Sequence, residues 1–334
     1  MLPRNVLAIS KYLGSAPDTI ITLTHKNSTA ILLDYPTGAY TGMRTFNRTG
    51  IMDLSGHTTR LAASLQQIRF PGISPSSSAT GEEAEDPVAT KGLAALRRTE
   101  IMKSETSDLV SAGLKFYYKQ LKQGLQNGEL PAATVSETKV TVLCTWDPVE
   151  KQPALIAHFE PLWVPKATRC KVEVHGSPRH HALVKDSQWV RDRKEMEAAL
   201  EEDSNEALLI DDETQDVYEG LSSNFFALDN KRGTILTAPI GTVLQGTIQK
   251  VIQDVCSAQN IPIDFIFPNL KHIDDWEGAF ISSTSRLLLP IEKLVLQDGS
   301  IKTFGDSPTI ELIRREVLKE CHKRVENLIL EQDL

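Results

Sequence analysis

Residues 205–249, from NEALLIDD to LQGTIQ, constrain the fold more than any other stretch of this chain. Short apolar runs at 207–210, 217–219, 225–228 and 234–237 are separated by polar clusters at 211–215 and 229–233. Strand-forming runs bounded by Asp, Asn and Gly clusters are the mark of hairpins, so this stretch reads as a meander of three or four strands. Glu219 ends one strand, just before Gly220 and the polar trio Ser222, Ser223 and Asn224. The meander feeds a Gly- and Thr-rich loop at 241–246, after which Ile248, Val251, Ile252, Val255 and Cys256 recur at helical spacing. One face of that helix is therefore buried. The N–H groups of its first turn form the positive end of the helix dipole and attract anions, phosphate above all. A Gly-Thr loop alone is usually only a turn into a helix.

A length of 334 residues corresponds to about two domains, at ~100–200 residues each. The balance of 36 basic against 44 acidic residues, net −8, argues against a nucleic-acid or anionic-membrane surface. Cys144, Cys170, Cys256 and Cys321 are far apart, with no CxxC or Cys/His pairing. They read as buried thiols in a reducing compartment, and no metal site is expected. No apolar run approaches the ~18 residues needed to cross a bilayer. Before Asp18 the chain carries Arg4 and Lys11 and no acid, a weak organelle-import signal. The expected compartment is the cytoplasm, with import as the alternative.

In chain order, 19–24 and 30–33 read as strands. Residues 38–46 form a strand leading to a turn at 47–50. Ser55 caps a helix holding His57, Arg60, Leu61, Leu65 and Ile68. Residues 71–90, with Pro71, Gly72, the run Ser76 to Ser78 and Glu82, Glu83, Glu85 and Asp86, read as an exposed acidic insertion. A helix over about 107–124 and a strand pair at 139–145 and 154–159 complete a smaller α/β domain, 1–163. A linker over 164–180 follows, irregular through 175–178. The larger domain, 181–334, opens with Lys185 at the end of a short apolar run. A helix capped by Asp186 or Ser187 then runs through Trp189, Val190, Met196 and Leu200. A last helix begins at Ser307-Pro308 and lines Ile310, Ile313, Val317, Leu318, Cys321 and Val325 on its core face.

Several of these elements together resemble one family. Glu219-Gly220, Asn224-Phe225-Phe226, Ile235-Leu236-Thr237 and Leu244-Gln245-Gly246 look like the signature of the class IV aminotransferases. These are pyridoxal-phosphate enzymes that include branched-chain and D-amino-acid aminotransferases and aminodeoxychorismate lyase. His57-Thr58-Thr59-Arg60-Leu61 is similar to the family's His-x-x-Arg-Leu element, and the stretch from Gly38 to Arg44 is also family-like. Lys185 lies 34 residues before Glu219, the family's layout for its Schiff-base lysine. The chain departs from the pattern at Leu221, where the family prefers a small residue. It departs also at Thr247, usually aliphatic, and at Gln249, usually basic.

The resemblance implies an α/β (α+β) fold of two domains with pyridoxal 5'-phosphate between them. Lys185 would carry the cofactor aldehyde and move the Cα proton, and Glu219 would sit at the pyridine nitrogen, with Asn224 supporting it. Arg60, Gly246, Thr247, Ile248 and Thr284 would hold the phosphate. Tyr40, Arg44 and Arg286 fall on the substrate side. His180 and His181 have no role in that chemistry and read as structural. The leading reading is an aminotransferase acting on an amino acid and a 2-oxo acid, as a homodimer. A lyase resembling aminodeoxychorismate lyase and a non-catalytic relative that binds a partner remain open.

Overall fold

The computed structural model describes residues 5–13, 16–72, 85–130, 136–162 and 168–334. The chain divides into two compact units. One comprises Met1–Trp163, Val184–Arg191 and Val325–Leu334, and the other Val164–Leu183 and Asp192–Arg324. The expectation that all of 181–334 forms one domain is corrected, because Lys185 and the C-terminal segment belong to the first unit.

The first unit is built on strands β1 (Asn5–Leu13), β2 (Ala16–Thr24), β3 (Gly38–Phe46), β4 (Gly50–Met52), β5 (Thr138–Asp147) and β6 (Gln152–Pro161). Its seven-stranded sheet runs from the C-terminal strand Val325–Asn327 through β4, β3, β5, β6 and β1 to β2. Helices α1 (Ser28–Asp34), α2 (Leu54–Gln67), α3 (Pro87–Leu93) and α4 (Thr99–Gln126) accompany it. Leu61 and Leu65 of α2, Val110, Leu114 and Tyr117 of α4, and Val140 and Phe159 of the sheet share one buried cluster. These are the positions that helical and alternating periodicity assign to a core.

Residues 30–33, expected as a strand, lie in α1. Asn27 caps that helix, its Oδ1 accepting the Ala30 N–H at 2.9 Å, and Ile31 and Leu32 turn inward. Of the acidic insertion, 73–84 lies outside the described residues. Its distal flank is tied down, because Glu85 pairs with Arg97 and its backbone bridges to Pro71. The helix expected after Lys185 is two short ones, α5 (Gln188–Asp192) and α6 (Lys194–Ala199), interrupted just after the chain passes from one unit to the other.

The second unit holds β7 (Cys170–Val174), β8 (Glu206–Ile210), β9 (Val217–Gly220), β10 (Asn224–Asp229), β11 (Thr234–Thr237), β12 (Ile263–Phe265), β13 (Trp276–Ser283), β14 (Leu287–Val295) and β15 (Ile301–Thr303). Its sheet order is β12-β11-β10-β13-β14-β7-β8-β9, and β9 also pairs with β10. Six strands, β10, β13, β14, β7, β8 and β9, therefore close into a ring. The expected linker contributes one of them. Val172 and Val174 of β7 are buried between parallel partners β14 and β8, far away in sequence and invisible to local pattern. Residues 164–167 of that linker lie outside the described residues.

Helices α7 (Thr247–Ala258) and α8 (Pro308–Lys323) complete this unit. Ser307 caps α8 by accepting the Ile310 N–H at 3.3 Å. Val325, expected on that helix, instead begins β16 (Val325–Asn327) in the first unit. All four cysteines are buried. Among the described residues, no helix is long and apolar enough to cross a membrane, and no group of three or more His, Cys, Asp or Glu side chains is arranged to hold a metal ion.

The core of the first unit makes a stability prediction. A Cβ on Gly113 of α4 would fall 2.2 Å from the ring of Phe159, which is fully buried and has nowhere to go. Gly113→Ala should therefore destabilise the protein despite its better helix propensity, by about 1–2 kcal/mol from overpacking, read as a lower midpoint in urea unfolding.

Candidate functional site

In the first unit the predicted residues gather around β3 and α2. Residues 185–187 lie along β3 as a short added strand. The Tyr40 N–H donates to the Lys185 carbonyl at 2.9 Å, and the Ser187 N–H donates to the Gly38 carbonyl at 2.9 Å. The Gly38 N–H in turn donates to Ser187 Oγ at 3.0 Å. Gly38 cannot be replaced here, because a Cβ would sit 2.2 Å from the Cys144 carbonyl oxygen on the neighbouring strand. The Lys185 N–H donates to Ser64 Oγ of α2 at 3.0 Å, and Lys185 Nζ lies 4.9 Å from the centre of the Tyr40 ring.

Period-two alternation puts Tyr40, Gly42 and Arg44 on one face of β3 and Thr41 on the other, toward α2. Arg44 stacks over Phe46 at 4.7 Å. On the α2 side, Arg60 Nη2 donates to Thr41 Oγ1 at 3.1 Å, and that oxygen is 2.7 Å from His57 Nδ1. Arg60 Nη2 also lies 3.4 Å from Nδ1, and because an arginine can only donate, Nδ1 is the accepting nitrogen and takes the threonine proton. The imidazole is thereby fixed as the neutral tautomer protonated on Nε2. Burial, reinforced by the charges of Arg60 and Lys185, holds His57 well below its usual value of 6.5. Burial also pulls Arg60 down to about 10, which leaves it charged at neutral pH.

In the second unit, Glu219 lies opposite Asn224 at the closure of the strand ring. Its Oε1 accepts from Arg179 Nε at 2.8 Å and its Oε2 from the Leu244 N–H at 3.3 Å. Both charged side chains of that pair are only 7% exposed. Nothing in the sequence marks Arg179, which stands in an irregular stretch beside two exposed histidines and is not among the predicted residues. Asn224 Nδ2 donates to the Leu244 carbonyl at 2.7 Å. A Cβ on Gly246 would lie 2.2 Å from Asn224 Oδ1, so the absence of a side chain lets the loop into α7 pass against that amide.

Gly246 is the N-cap of α7 and brings no side-chain oxygen to the first-turn N–H groups. Thr247 Oγ1 of that turn lies 3.2 Å from Thr284 Oγ1, in the loop between β13 and β14. Helix end, two hydroxyls and, among the described residues, the unpartnered Nε2 of fully buried Gln249 form a donor set suited to a phosphate. Ile248 is buried and offers that helix end only its backbone. Arg286 is engaged elsewhere. Its Nη1 pairs with buried Glu206 at 2.7 Å and its Nη2 reaches the Asn205 carbonyl at 3.1 Å. The residues that depart from the expected pattern are accommodated. Leu221 is buried, Thr247 meets Thr284, and Gln249 Oε1 accepts the Gly246 N–H at 3.3 Å.

The buried imidazole has a measurable consequence. Because the folded state holds His57 below 6.5, the unfolded chain takes up a proton there first as pH falls. The neutral site's contribution is complete above pH 6.5 and lost below it, at up to ~1.4 kcal/mol per pH unit. Urea unfolding at pH 5, 6 and 7 should show this slope, and His57→Asn should remove its share, leaving that of His158, which burial also lowers.

The sequence model described as amino-transferase class IV matches residues 38–294. No curated protein is detectably similar in sequence. The fold is that of solved aminotransferases. A branched-chain aminotransferase from Thermoproteus uzoniensis, solved with norvaline, superposes with TM-score 0.65 at 14% identity over 96% of this chain and 99% of that one. The branched-chain amino acid aminotransferase of T.th., solved with pyridoxamine 5'-phosphate, gives 0.64 at 13% identity over 98% and 100%. A hypothetical aminotransferase from Mycobacterium tuberculosis in its PLP-bound form gives 0.59 at 14% over 95% and 99%. With most of its length matched by the family model, the chain belongs to the class IV aminotransferases, pyridoxal-phosphate enzymes that exchange an amino group between an amino acid and a 2-oxo acid.

Proposed function

We propose that Lys185 carries the cofactor in this aminotransferase and that the other predicted residues hold it by the bonds described. Bound pyridoxal 5'-phosphate supplies an aldehyde to capture the amino group and a ring to accept the electrons released at Cα. The observation that carries the assignment is the anchoring of Lys185. Its backbone is bonded on one side to Ser64 and on the other to Tyr40, so the amine is delivered from a fixed main chain. From there it would serve as the base that takes the proton from the substrate Cα and later gives it back.

Glu219 is assigned to the pyridine nitrogen. Arg179 and the Leu244 N–H fix its carboxylate, and Asn224 fixes the loop that bears Leu244. Arg60 is assigned to the phosphate, held in place by Thr41, with Thr247, Thr284 and the backbone N–H groups at the start of α7 as its other donors. Tyr40 and Arg44 share the face of β3 over which the Lys185 amine lies, which supports a substrate-facing role for both. Arg44 there offers a cation to a substrate carboxylate. Arg286 is assigned to the tie with Glu206, beside the loop that bears Thr284. A homodimer in the cytoplasm completes the reading, following what the family resemblance implies.

The test is spectroscopic. The purified protein loaded with pyridoxal phosphate should show a visible band that Lys185→Ala abolishes, and one class of amino acid should bleach it. Turnover in Lys185→Ala should fall by ~10²–10⁴ or more, the scale of a lost acid–base group. A band that no L- or D-amino acid bleaches would turn the assignment toward the lyase. A protein that cannot be loaded would end it.

A further inference from the structure

We propose that Val325–Leu334 is a strap that sets the helix carrying Arg60, with Glu326 as its positioning residue. This inference rests on Arg60 holding the cofactor phosphate.

The chain leaves the second unit at Arg324 and returns to the first. There β16 pairs antiparallel with β4, Val325 opposite Met52 and Asn327 opposite Gly50. The approach is close, since a Cβ on Gly50 would lie 2.4 Å from Val325 Cγ1 and 2.9 Å from the Glu326 carbonyl oxygen. Beyond the strand, the Leu328 and Ile329 N–H groups both donate to the Thr49 carbonyl, at 2.9 and 3.1 Å. Ile329 is buried in the main core cluster. Ser111 Oγ of α4 donates to the Leu328 carbonyl at 2.9 Å. The segment is thus built into the unit along its length.

What it holds is the start of α2. The N-cap Asp53 lies in the left-handed region, φ 50 and ψ 46, which Asp enters more readily than most residues with a Cβ because its side chain can bond locally. Its own carboxylate accepts from the Gly56 N–H at 3.2 Å. The Ser55 N–H instead goes to Glu326, whose Oε1 accepts it at 2.7 Å and the Ser55 hydroxyl at 2.8 Å. Oε2 of the same carboxylate pairs with Lys103 of α4 at 2.6 Å. Burial alone would raise the Glu326 carboxyl, but the bonds to Lys103 and Ser55 outweigh it and keep it below its usual value. A negative charge from 271 residues along the chain therefore caps the positive end of this helix.

The helix is the one element that bears both Arg60 and Ser64, the acceptor for the Lys185 N–H. Arg60 stands five residues, less than two turns, beyond the Glu326 contact. If the start of α2 drifts, the guanidinium drifts with it. Lys185 is held on its other side by β3, so capture of the aldehyde should survive.

The experiment titrates the apoprotein with pyridoxal phosphate and with pyridoxal, which lacks the phosphate. It compares wild type, Arg60→Ala, Glu326→Gln and the milder Lys103→Met. Glu326→Gln and Lys103→Met should each weaken pyridoxal phosphate about five- to tenfold, as for loss of a charge-assisted contact. Pyridoxal should stay within about twofold, and the double variant should be no worse than Glu326→Gln, because both act through one ion pair. Wild-type affinity in Glu326→Gln would overturn the strap. So would an equal loss for both ligands, which marks general destabilisation. Should Glu326→Gln not fold, Lys103→Met decides by the same comparison. If wild type does not prefer the phosphorylated ligand, or Arg60→Ala leaves that preference intact, the phosphate assignment itself falls and the strap with it.

Discussion

Glu219 opposite Asn224 is the pairing on which the second unit depends. It joins β9 to β10 and closes six strands into a ring. The pairing covers the end of β9, which would otherwise be an open edge of the sheet, and it places a carboxylate and an amide side by side at the seam. Neither is left unsatisfied. Arg179 and the Leu244 N–H take the carboxylate, and the Leu244 carbonyl takes the amide. A buried carboxylate without partners would cost several kcal/mol, so its bonds are a condition of the ring closing there. The residue assigned to the cofactor ring and the residue that completes the sheet are the same one.

Much of this is legible in the sequence because it is local. The alternation in β8–β11, the Gly246 start of α7 and the Ser307-Pro308 start of α8 each carry their own signal within a few residues. So do the motifs Glu219-Gly220 and His57-x-x-Arg60-Leu61, which point to the family. What stays hidden depends on partners distant along the chain. The strand β7 reads as a linker because β14 lies some 120 residues away. Arg179 has no local pattern, and only the folded chain brings it to Glu219. Residues 30–33 mislead for the opposite reason. A short run of Ile and Leu suits either strand or helix, and the Asn27 cap decides between them.

The first unit shows how a chain can assemble a site out of order. Residues 184–191 separate two parts of the second unit in sequence, yet they bond to β3 and α2 of the first. Read along the chain, Lys185 opens the second domain. Read by hydrogen bonds, it lies beside β3, bridged to it at Ala39 and Asp186. The consequence is that Lys185 and Arg60, 125 residues apart, are referenced to a single helix through Ser64 and through Arg60's own backbone.

The departures at Leu221, Thr247 and Gln249 bear on how far the phosphate site can differ from its relatives and still work. A basic side chain at 249 would bring a charge to the phosphate. Gln249 brings none, and it uses its oxygen to hold the Gly246 N–H. Within the second unit the helix end and the hydroxyls of Thr247 and Thr284, 3.2 Å from one another, are all without a full positive charge. Neutral hydrogen bonds are roughly half as strong as charge-assisted ones. Under the proposed assignment of Arg60 to the phosphate, a cation there carries a larger share and its position matters more. On that proposal, a helix start held by Asp53 on one side and Glu326 on the other bears on function as well as on structure.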